Sequence, residues 1–332
     1  MSFDRRAAVK RLRLLVYTSK SEINSFRTKI EETFACPVLP NHVEWSEHNY
    51  GGVVCDVLAP EIYASRRVMM YIHGGSFVGG SRASWRGFCA RLANKSYSRV
   101  VIPEFRLAPS HPFPAAIEDV QAVFRALFTE EQVACALNSD TADKNVMPEI
   151  IIAADGSGAS IAMALLFNLK ERYRSCISHV ILLSPWLDMS PDSPLFDGKK
   201  MYDEVMWGDS LHLSGLVYTY ASNLGNPLVS PLKSEKELLA GFPSLYIQMG
   251  EKEILLSDAQ KFKLLMESAG VKCTLDVWPG MMHLFQFADD YLWETHLAIE
   301  KLGKIVSETD GCPSKVCIDN KPRLEESIKT DA

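Results

Sequence analysis

Ile150-Ile151-Ile152-Ala153-Ala154-Asp155-Gly156-Ser157-Gly158-Ala159-Ser160 is the segment that constrains this chain most. Three consecutive isoleucines predict a buried strand, because β-branched side chains pack well on a pleated surface. The small residues that follow predict a sharp turn leading straight into a helix. Across that turn, Ala154, Asp155, Gly156, Ser157 and Gly158 place small residues at both outer positions and a glycine at the apex. A buried strand turned at once into a helix is the unit from which mostly parallel sheets are built.

The rest of the chain repeats that unit. Candidate strands are residues 53–58, 68–72, 100–103, 150–153, 180–183, 245–249 and 273–278, and apolar residues at helical spacing mark 115–128, 160–173 and 258–269. Residues 291–305 read as a closing helix. The alternation predicts an α/β fold with a mostly parallel central sheet and helices on both faces. Residues 1–45 read as helices ahead of the first strand, and about 190–236 as a Pro- and Gly-punctuated insertion with a helix near 211–221. Both are expected over the carboxyl ends of the strands, where open α/β sheets bind ligands. The core is expected to span 46–306, and the polar stretch 307–332 to be a frayed tail.

With 332 residues, 47% of them apolar and 23% charged, the chain can bury a large core. A net charge of −6, without a basic stripe or interleaved aromatics, argues against nucleic acid as a partner. In the N-terminal run Arg5 to Leu15, Arg11 and Arg13 interrupt the apolar residues and no small-residue cleavage site follows. A basic amphipathic helix lying on the domain is expected there, not a signal peptide. No segment has the apolar length of a membrane span. The eight cysteines (Cys36, Cys55, Cys89, Cys135, Cys176, Cys273, Cys312, Cys317) show no paired metal spacing. Reduced thiols in a cytoplasmic protein are expected, most of them as small core residues, with neither metal nor other cofactor.

Three loops carry the chemistry, each directly after a predicted strand. His73-Gly74-Gly75-Ser76-Phe77-Val78-Gly79-Gly80 follows residues 68–72. Glycine backbone can approach an acyl oxygen closely, and fixed N–H groups stabilise the oxyanion of a tetrahedral intermediate. Gly74 and Gly75 are the candidate donors, with the N–H of Ser157 as their partner. The loop Gly250 to Asp258 follows residues 245–249 and supplies an acid, which would hold an imidazole in one tautomer and stabilise the imidazolium. Glu253 is the first candidate; Asp258 is the second, since an aspartate ahead of an apolar periodic run more naturally caps the helix. Trp278-Pro279-Gly280-Met281-Met282-His283 follows the last strand and brings His283 within reach of the turn as a general base. A lone histidine is more often structural. The order turn, acid, histidine is nevertheless the order found with the nucleophile elbow G-x-S-x-G. In that motif the apex residue is the nucleophile, and here it is Gly156.

On these pieces the sequence resembles the hormone-sensitive-lipase family of α/β-hydrolases, and more closely its bacterial carboxylesterase branch. His73-Gly74-Gly75, Arg106-Leu107-Ala108-Pro109 with His111-Pro112-Phe113-Pro114-Ala115-Ala116, Ser184-Pro185-Trp186-Leu187-Asp188 and the acid and histidine loops run in family order from about residue 50 to 300. The resemblance implies an α/β-hydrolase fold, a helical cap made from the N-terminal helices and the insertion after the sixth strand, and cofactor-free hydrolysis of short acyl esters. It implies a small hydrophobic ester or acyl ligand, in a pocket shaped by cap residues such as Trp207 and Tyr218, and a monomer or homodimer. The acid departs mildly from the family's D-P-L setting, since Glu253 with Ile254-Leu255 resembles a glutamate-using branch. The nucleophile departs fully. Members read G-D-S-A-G-G where this chain reads Ala154-Asp155-Gly156-Ser157-Gly158-Ala159.

Ser157 is the alternative nucleophile, but shifting the register to it puts Asp155 and Ala159 where small glycines are needed and moves the serine off the apex. Ser160 lies inside the helix, and no geometry supports Ser76. Glycine at the apex relieves a positive-φ strain of roughly 1–3 kcal/mol. Losing a triad nucleophile costs on the order of a million-fold in turnover and leaves roughly 10³–10⁴ over water. The expectation is therefore a carboxylic-ester hydrolase scaffold that is weak or inactive as it stands. Three versions stay open: a pseudo-hydrolase acting as a small-molecule binding or sensor module, an esterase whose serine has been replaced, and slow hydrolysis through His283-activated water or Ser157. The intact acid, base and oxyanion loops favour the second, because idle sites decay. They also argue against a protein that uses only the surface of the fold.

Overall fold

The computed structural model describes residues 4–35, 37–64, 67–137, 147–196, 203–307 and 316–318. In chain order its elements are α1 (Arg5–Leu12), α2 (Ile23–Phe34), β1 (Val43–Tyr50), β2 (Val53–Pro60), β3 (Ile62–Ala64), β4 (Arg67–Ile72), α3 (Arg82–Ser96), β5 (Arg99–Pro103) and α4 (Ala115–Leu137). There follow β6 (Glu149–Asp155), α5 (Gly158–Asn168), α6 (Glu171–Arg174), β7 (Ile177–Leu183), α7 (Gly208–Tyr218), α8 (Lys236–Leu239), β8 (Ser244–Gly250), α9 (Leu256–Ser268), β9 (Cys273–Trp278), α10 (Trp293–Ser307) and β10 (Val316–Ile318).

Eight strands form one sheet in the order β1-β2-β5-β4-β6-β7-β8-β9. β2 runs antiparallel to β1 and β5, and every other neighbouring pair is parallel. All of β4 and nearly all of β6 is buried, which is why these strands read as unbroken apolar runs instead of alternating ones. α3 packs on α10 and α4 on α5, so helices cover the sheet. This is the α/β-hydrolase fold.

Two of the longer elements, β1 and α3, lie outside the predicted strands and helices. β1 is an edge strand paired only with β2, and its Val-Glu-Trp-Ser-Glu-His-Asn-Tyr sequence is mostly exposed, so no hydrophobic run announces it. α3 is capped by Ser81, whose hydroxyl accepts the N–H of Ser84, and is tied to the sheet by charge. Its Arg82 and Arg86 both pair with Asp56, a fully buried carboxylate of β2. Most of the stretch 307–332 lies outside the described residues; within it, β10 pairs antiparallel with β3.

The N-terminal segment and the residues around α7 lie over the loop that follows β4. α1 is capped by Asp4 and buries Ala8 and Leu12, while Arg5 reaches Glu204 at 2.7 Å. Tyr17 N–H donates to Ser76 Oγ (3.0 Å), and Phe26 and Ile30 close on Gly79. From the other side, Tyr218 stacks on Phe77 with centroids 4.0 Å apart. The two segments also meet each other: Arg13 Nε donates to the Glu204 carbonyl (2.8 Å), and its guanidinium sits over the Trp207 ring. Between them is a cavity of about 430 Å³ lined by Val16, Phe26, Lys20, Lys29 and Trp207, and by none of Gly156, Glu253 or His283.

Cys55, Cys89, Cys135, Cys176 and Cys273 are buried and form no disulfide; burial pushes Cys55, Cys176 and Cys273 up to about 12. Cys36 and Cys312 lie outside the described residues. Among the described residues no cluster of His, Cys, Asp or Glu is arranged to hold a metal, and no helix is long and apolar enough to cross a membrane.

Candidate active site

The turn between β6 and α5 places Gly156 at its apex with φ +47°, the left-handed region that costs a side chain most. Its N–H donates to the Leu183 carbonyl (3.0 Å), and its own carbonyl accepts from Trp186 N (3.0 Å), so the turn is bound to the loop after β7. Gly158 sits where a Cβ would fall 2.3 Å from the Ile72 carbonyl, which explains the small outer position. Gly156 is different. A Cβ there would meet Trp186 Nε1 at 3.8 Å, an ordinary contact, so the apex has room for a side chain.

Asp155 is fully buried beneath the glycine loop, and three donors converge on its Oδ1: Tyr71 Oη (2.9 Å), Trp85 Nε1 (2.7 Å) and Gly74 N (3.1 Å). Its Oδ2 is buried without a partner. Burial outweighs the three donors and raises the carboxyl to about 7. The neighbouring His73 is lowered to about 4 by burial, stacks on Phe105 and has Nδ1 2.9 Å from the Gly74 carbonyl; it is a neutral structural ring.

This arrangement corrects the expectation for Gly74. Its N–H is committed to Asp155, and a Cβ on it would come within 2.3 Å of Asp155 Oδ2. Gly74 is glycine because the carboxylate passes so close, and it has no donor left for an acyl oxygen. The N–H groups of Gly75, Ser76 and Ser157 donate to no protein acceptor among the described residues. Ser76 was not among the expected donors, since attention to glycines hides a backbone N–H carried by a serine.

His283 Nδ1 lies 3.1 Å from Glu253 Oε2, both groups buried. Glu253 also accepts from Gly250 N, within the same loop, and from Ser184 Oγ at 2.8 Å. Burial raises the Glu253 carboxyl, opposed by the hydrogen bonds from His283 and Gly250. With a carboxylate on Nδ1, the proton stays on that nitrogen and Nε2 is left for chemistry. Ser184 is the side chain the sequence reading overlooked: its hydroxyl donates to Glu253 and accepts Leu284 N–H (3.1 Å), tying the acid loop to the histidine loop. The signal was present in Ser184-Pro185-Trp186-Leu187-Asp188, read only as part of a resemblance.

Asp258 does neither of the things expected of it. α9 begins at Leu256, so Asp258 lies inside its first turn, with no capping hydrogen bond; Oδ1 takes Lys261 Nζ at 3.1 Å and Oδ2 is buried unpartnered. Glu253, not Asp258, lies on His283. Among the serines, Ser157 is one residue past the apex in helical conformation, and its Oγ accepts Phe77 N–H at 3.1 Å. Ser160 Oγ donates to the Trp186 carbonyl (2.6 Å), and Ser76 Oγ takes Tyr17 N–H. Each hydroxyl has a structural bond.

Residues 69–287 match the family described as alpha/beta hydrolase fold. An esterase of Acinetobacter venetianus is 30% identical over 250 residues, 74% of this chain and 77% of that protein. An acetyl-hydrolase of Streptomyces hygroscopicus is 28% identical over 245 residues, 74% of this chain and 77% of that protein. The crystal structure of an esterase from the bacterial hormone-sensitive lipase family superposes with TM-score 0.76 at 26% identity, covering 93% of this chain and 99% of the other. On its sheet order, its elbow and these similarities, the chain belongs to the α/β-hydrolase family, with the scaffold of the bacterial hormone-sensitive-lipase esterases.

Proposed function

We propose that this chain carries a carboxylic-ester hydrolase site for short acyl esters that lacks its covalent nucleophile, and is therefore weak or inactive as it stands. The observation that carries the reading is the buried Glu253–His283 hydrogen bond. An apolar pair in place of a buried acid and imidazole is often neutral or stabilising, so stability alone does not account for this one. The N–H groups of Gly75, Ser76 and Ser157 would receive the carbonyl oxygen as negative charge develops on it. His283 Nε2 would act as the base, with Glu253 holding the ring and stabilising its charged form. Residue 156 is the nucleophile position. In this reading residues 1–45 and about 190–236 cap a core of 46–306, and the cap, with Trp207 and Tyr218, selects the ester. The acetyl-hydrolase relative supports a small acyl group.

The test is hydrolysis of p-nitrophenyl butyrate by the chain, by Gly156→Ser, and by Gly156→Ser with His283→Ala. The serine variant is expected to gain about 10³-fold or more in kcat/KM, and the added His283→Ala to remove the gain. A serine variant that stays at background overturns the reading. A small-molecule binding or sensor module would then take its place, a role consistent with Ser157 Oγ being held by Phe77 N–H.

A further inference from the structure

The cavity of about 430 Å³ between the N-terminal segment and the start of α7 has the size of a small-molecule site, for which roughly 300–1,000 Å³ is usual. No residue of the glycine loop, the elbow, or the acid and histidine loops lines it, so it is separate from the site proposed for the ester. Leu14, Val16, Phe26 and Trp207 give it an apolar wall, with Val16 and Phe26 buried and Trp207 45% exposed. The rest of the wall is unbalanced in charge. Arg13, Lys20 and Lys29 line it against a single carboxylate, Asp209. Arg13 spends its Nε on the Glu204 carbonyl and lays its guanidinium over Trp207, while the Glu204 carboxylate is taken by Arg5. Among the described residues none of the three cations has a carboxylate partner. The surrounding segment has the same sign: residues 1–35 hold eight Lys and Arg against four Asp and Glu, a net +4 in a chain of net −6. Uncompensated cations around a concave space raise the local concentration of anions.

We infer that this cavity binds a small phosphate monoester, its phosphate held by Lys20, Lys29 and Arg13 and its apolar body laid against Val16, Phe26 and Trp207. Charge and donor count select phosphate over other anions. Three cations and one carboxylate leave an excess of two positive charges, and a phosphate monoester carries about −1.5 to −2 at pH 7. Its acceptor oxygens also suit the hydroxyls of Thr18, Ser19 and Ser21, which line the same cavity on either side of Lys20. A carboxylate brings one charge and fewer oxygens and leaves part of that set unused. The apolar wall sets the preference for an ester of an apolar alcohol over free phosphate, since burying the alkyl group takes apolar surface out of water. The ligand would bridge two segments distant in sequence, the N-terminal one and the residues that open α7. It would also lie beside the glycine loop, because Val16 precedes Tyr17, whose N–H donates to Ser76 Oγ. The site goes beyond the proposed function and does not depend on what residue 156 does.

The experiment is calorimetry and tryptophan fluorescence on the full chain with hexyl phosphate, hexanoate, 1-hexanol and inorganic phosphate. Hexyl phosphate is expected to bind one to one, and each of the others at least about tenfold more weakly, because each lacks either charge or the apolar body. Raising NaCl from about 50 mM to about 500 mM should weaken hexyl phosphate binding, as exposed charges are screened. Lys20→Gln with Lys29→Gln changes two exposed side chains and should lower the affinity by about tenfold or more. Hexyl phosphate should alter the fluorescence of the parent chain but not that of Trp207→Phe. Gly156→Ser, changed at the elbow and not in the cavity, should bind hexyl phosphate as the parent does. Equal affinity for hexanol or hexanoate, unchanged binding by the double-glutamine variant, or no binding of hexyl phosphate at about 10 mM would each overturn the inference. So would a Gly156→Ser chain that loses hexyl phosphate, which would put the ligand at the elbow. Retention by vesicles of anionic phospholipid, with no binding of hexyl phosphate, would also overturn it and assign the cations to a membrane surface.

Discussion

Replacing Asp155 by asparagine should remove a pH dependence of stability that the wild-type chain shows between about pH 4 and pH 7. Folded, the carboxyl is raised to about 7 from its ordinary 3.8 by burial, against the donors Tyr71, Trp85 and Gly74. Between those two values the folded state holds a proton that the unfolded state has released, so stability falls as pH rises. The contribution is fully present below about pH 4 and is lost as pH passes through about 7. A separation of about three pH units corresponds to about 4 kcal/mol, and because the group is fully buried no screening discount applies. Asparagine keeps an oxygen for the three donors and cannot ionise. Urea unfolding of both proteins, followed by tryptophan fluorescence from about pH 4 to about pH 8, isolates the effect, because the other carboxyls raised by burial titrate equally in both. The stability advantage of the wild type over the variant should shrink by about 4 kcal/mol across that range, leaving the asparagine form the more stable at the alkaline end. A difference that stays flat with pH would mean Asp155 is ionised throughout, and the reasoning from burial would be wrong. The point bears on function. An ionised Asp155 beneath the glycine loop would oppose any negative charge placed over Gly156, and a neutral one does not.

Gly156→Ser should lower Tm by a few degrees while raising esterase activity, because a φ of +47° costs a non-glycine residue roughly 1–3 kcal/mol; an unchanged or higher Tm in scanning calorimetry would show that the apex carries no strain. Ser184→Ala removes the hydroxyl that bridges Glu253 and Leu284 N–H, and should cost about 1–3 kcal/mol in urea unfolding. In the Gly156→Ser background the same change should lower kcat with little effect on KM, since it loosens the base and not the substrate; a pure KM effect would refute that. Gly74→Ala drives a Cβ toward Asp155 Oδ2 and should destabilise by about 1–3 kcal/mol, whereas wild-type stability would contradict the close approach.

Much of the architecture was legible in the chain itself. A parallel strand buried on both faces carries few polar residues, so the largely apolar runs at 68–72, 150–153, 180–183 and 245–249 announce β4, β6, β7 and β8 without help from packing. The order of elbow, acid loop and histidine loop is also a property of the sequence, as is the absence of a side chain at Gly156. β1 was not legible, because an exposed edge strand owes its place to its partner and not to an apolar pattern; α3 does carry apolar residues at helical spacing, with Trp85, Phe88, Cys89, Leu92 and Ala93 buried, and the sequence reading passed over them. Within the site, tertiary structure alone decided between Glu253 and Asp258, both acids in one loop; the choice depends on which carboxylate meets His283, thirty residues from Glu253 in sequence. It also decided that Gly74 donates to Asp155, leaving Gly75, Ser76 and Ser157 with unspent N–H groups. Periodicity and turn chemistry are local and can be read along one chain. Hydrogen-bond partners are settled only when segments distant in sequence compete for the same buried donor.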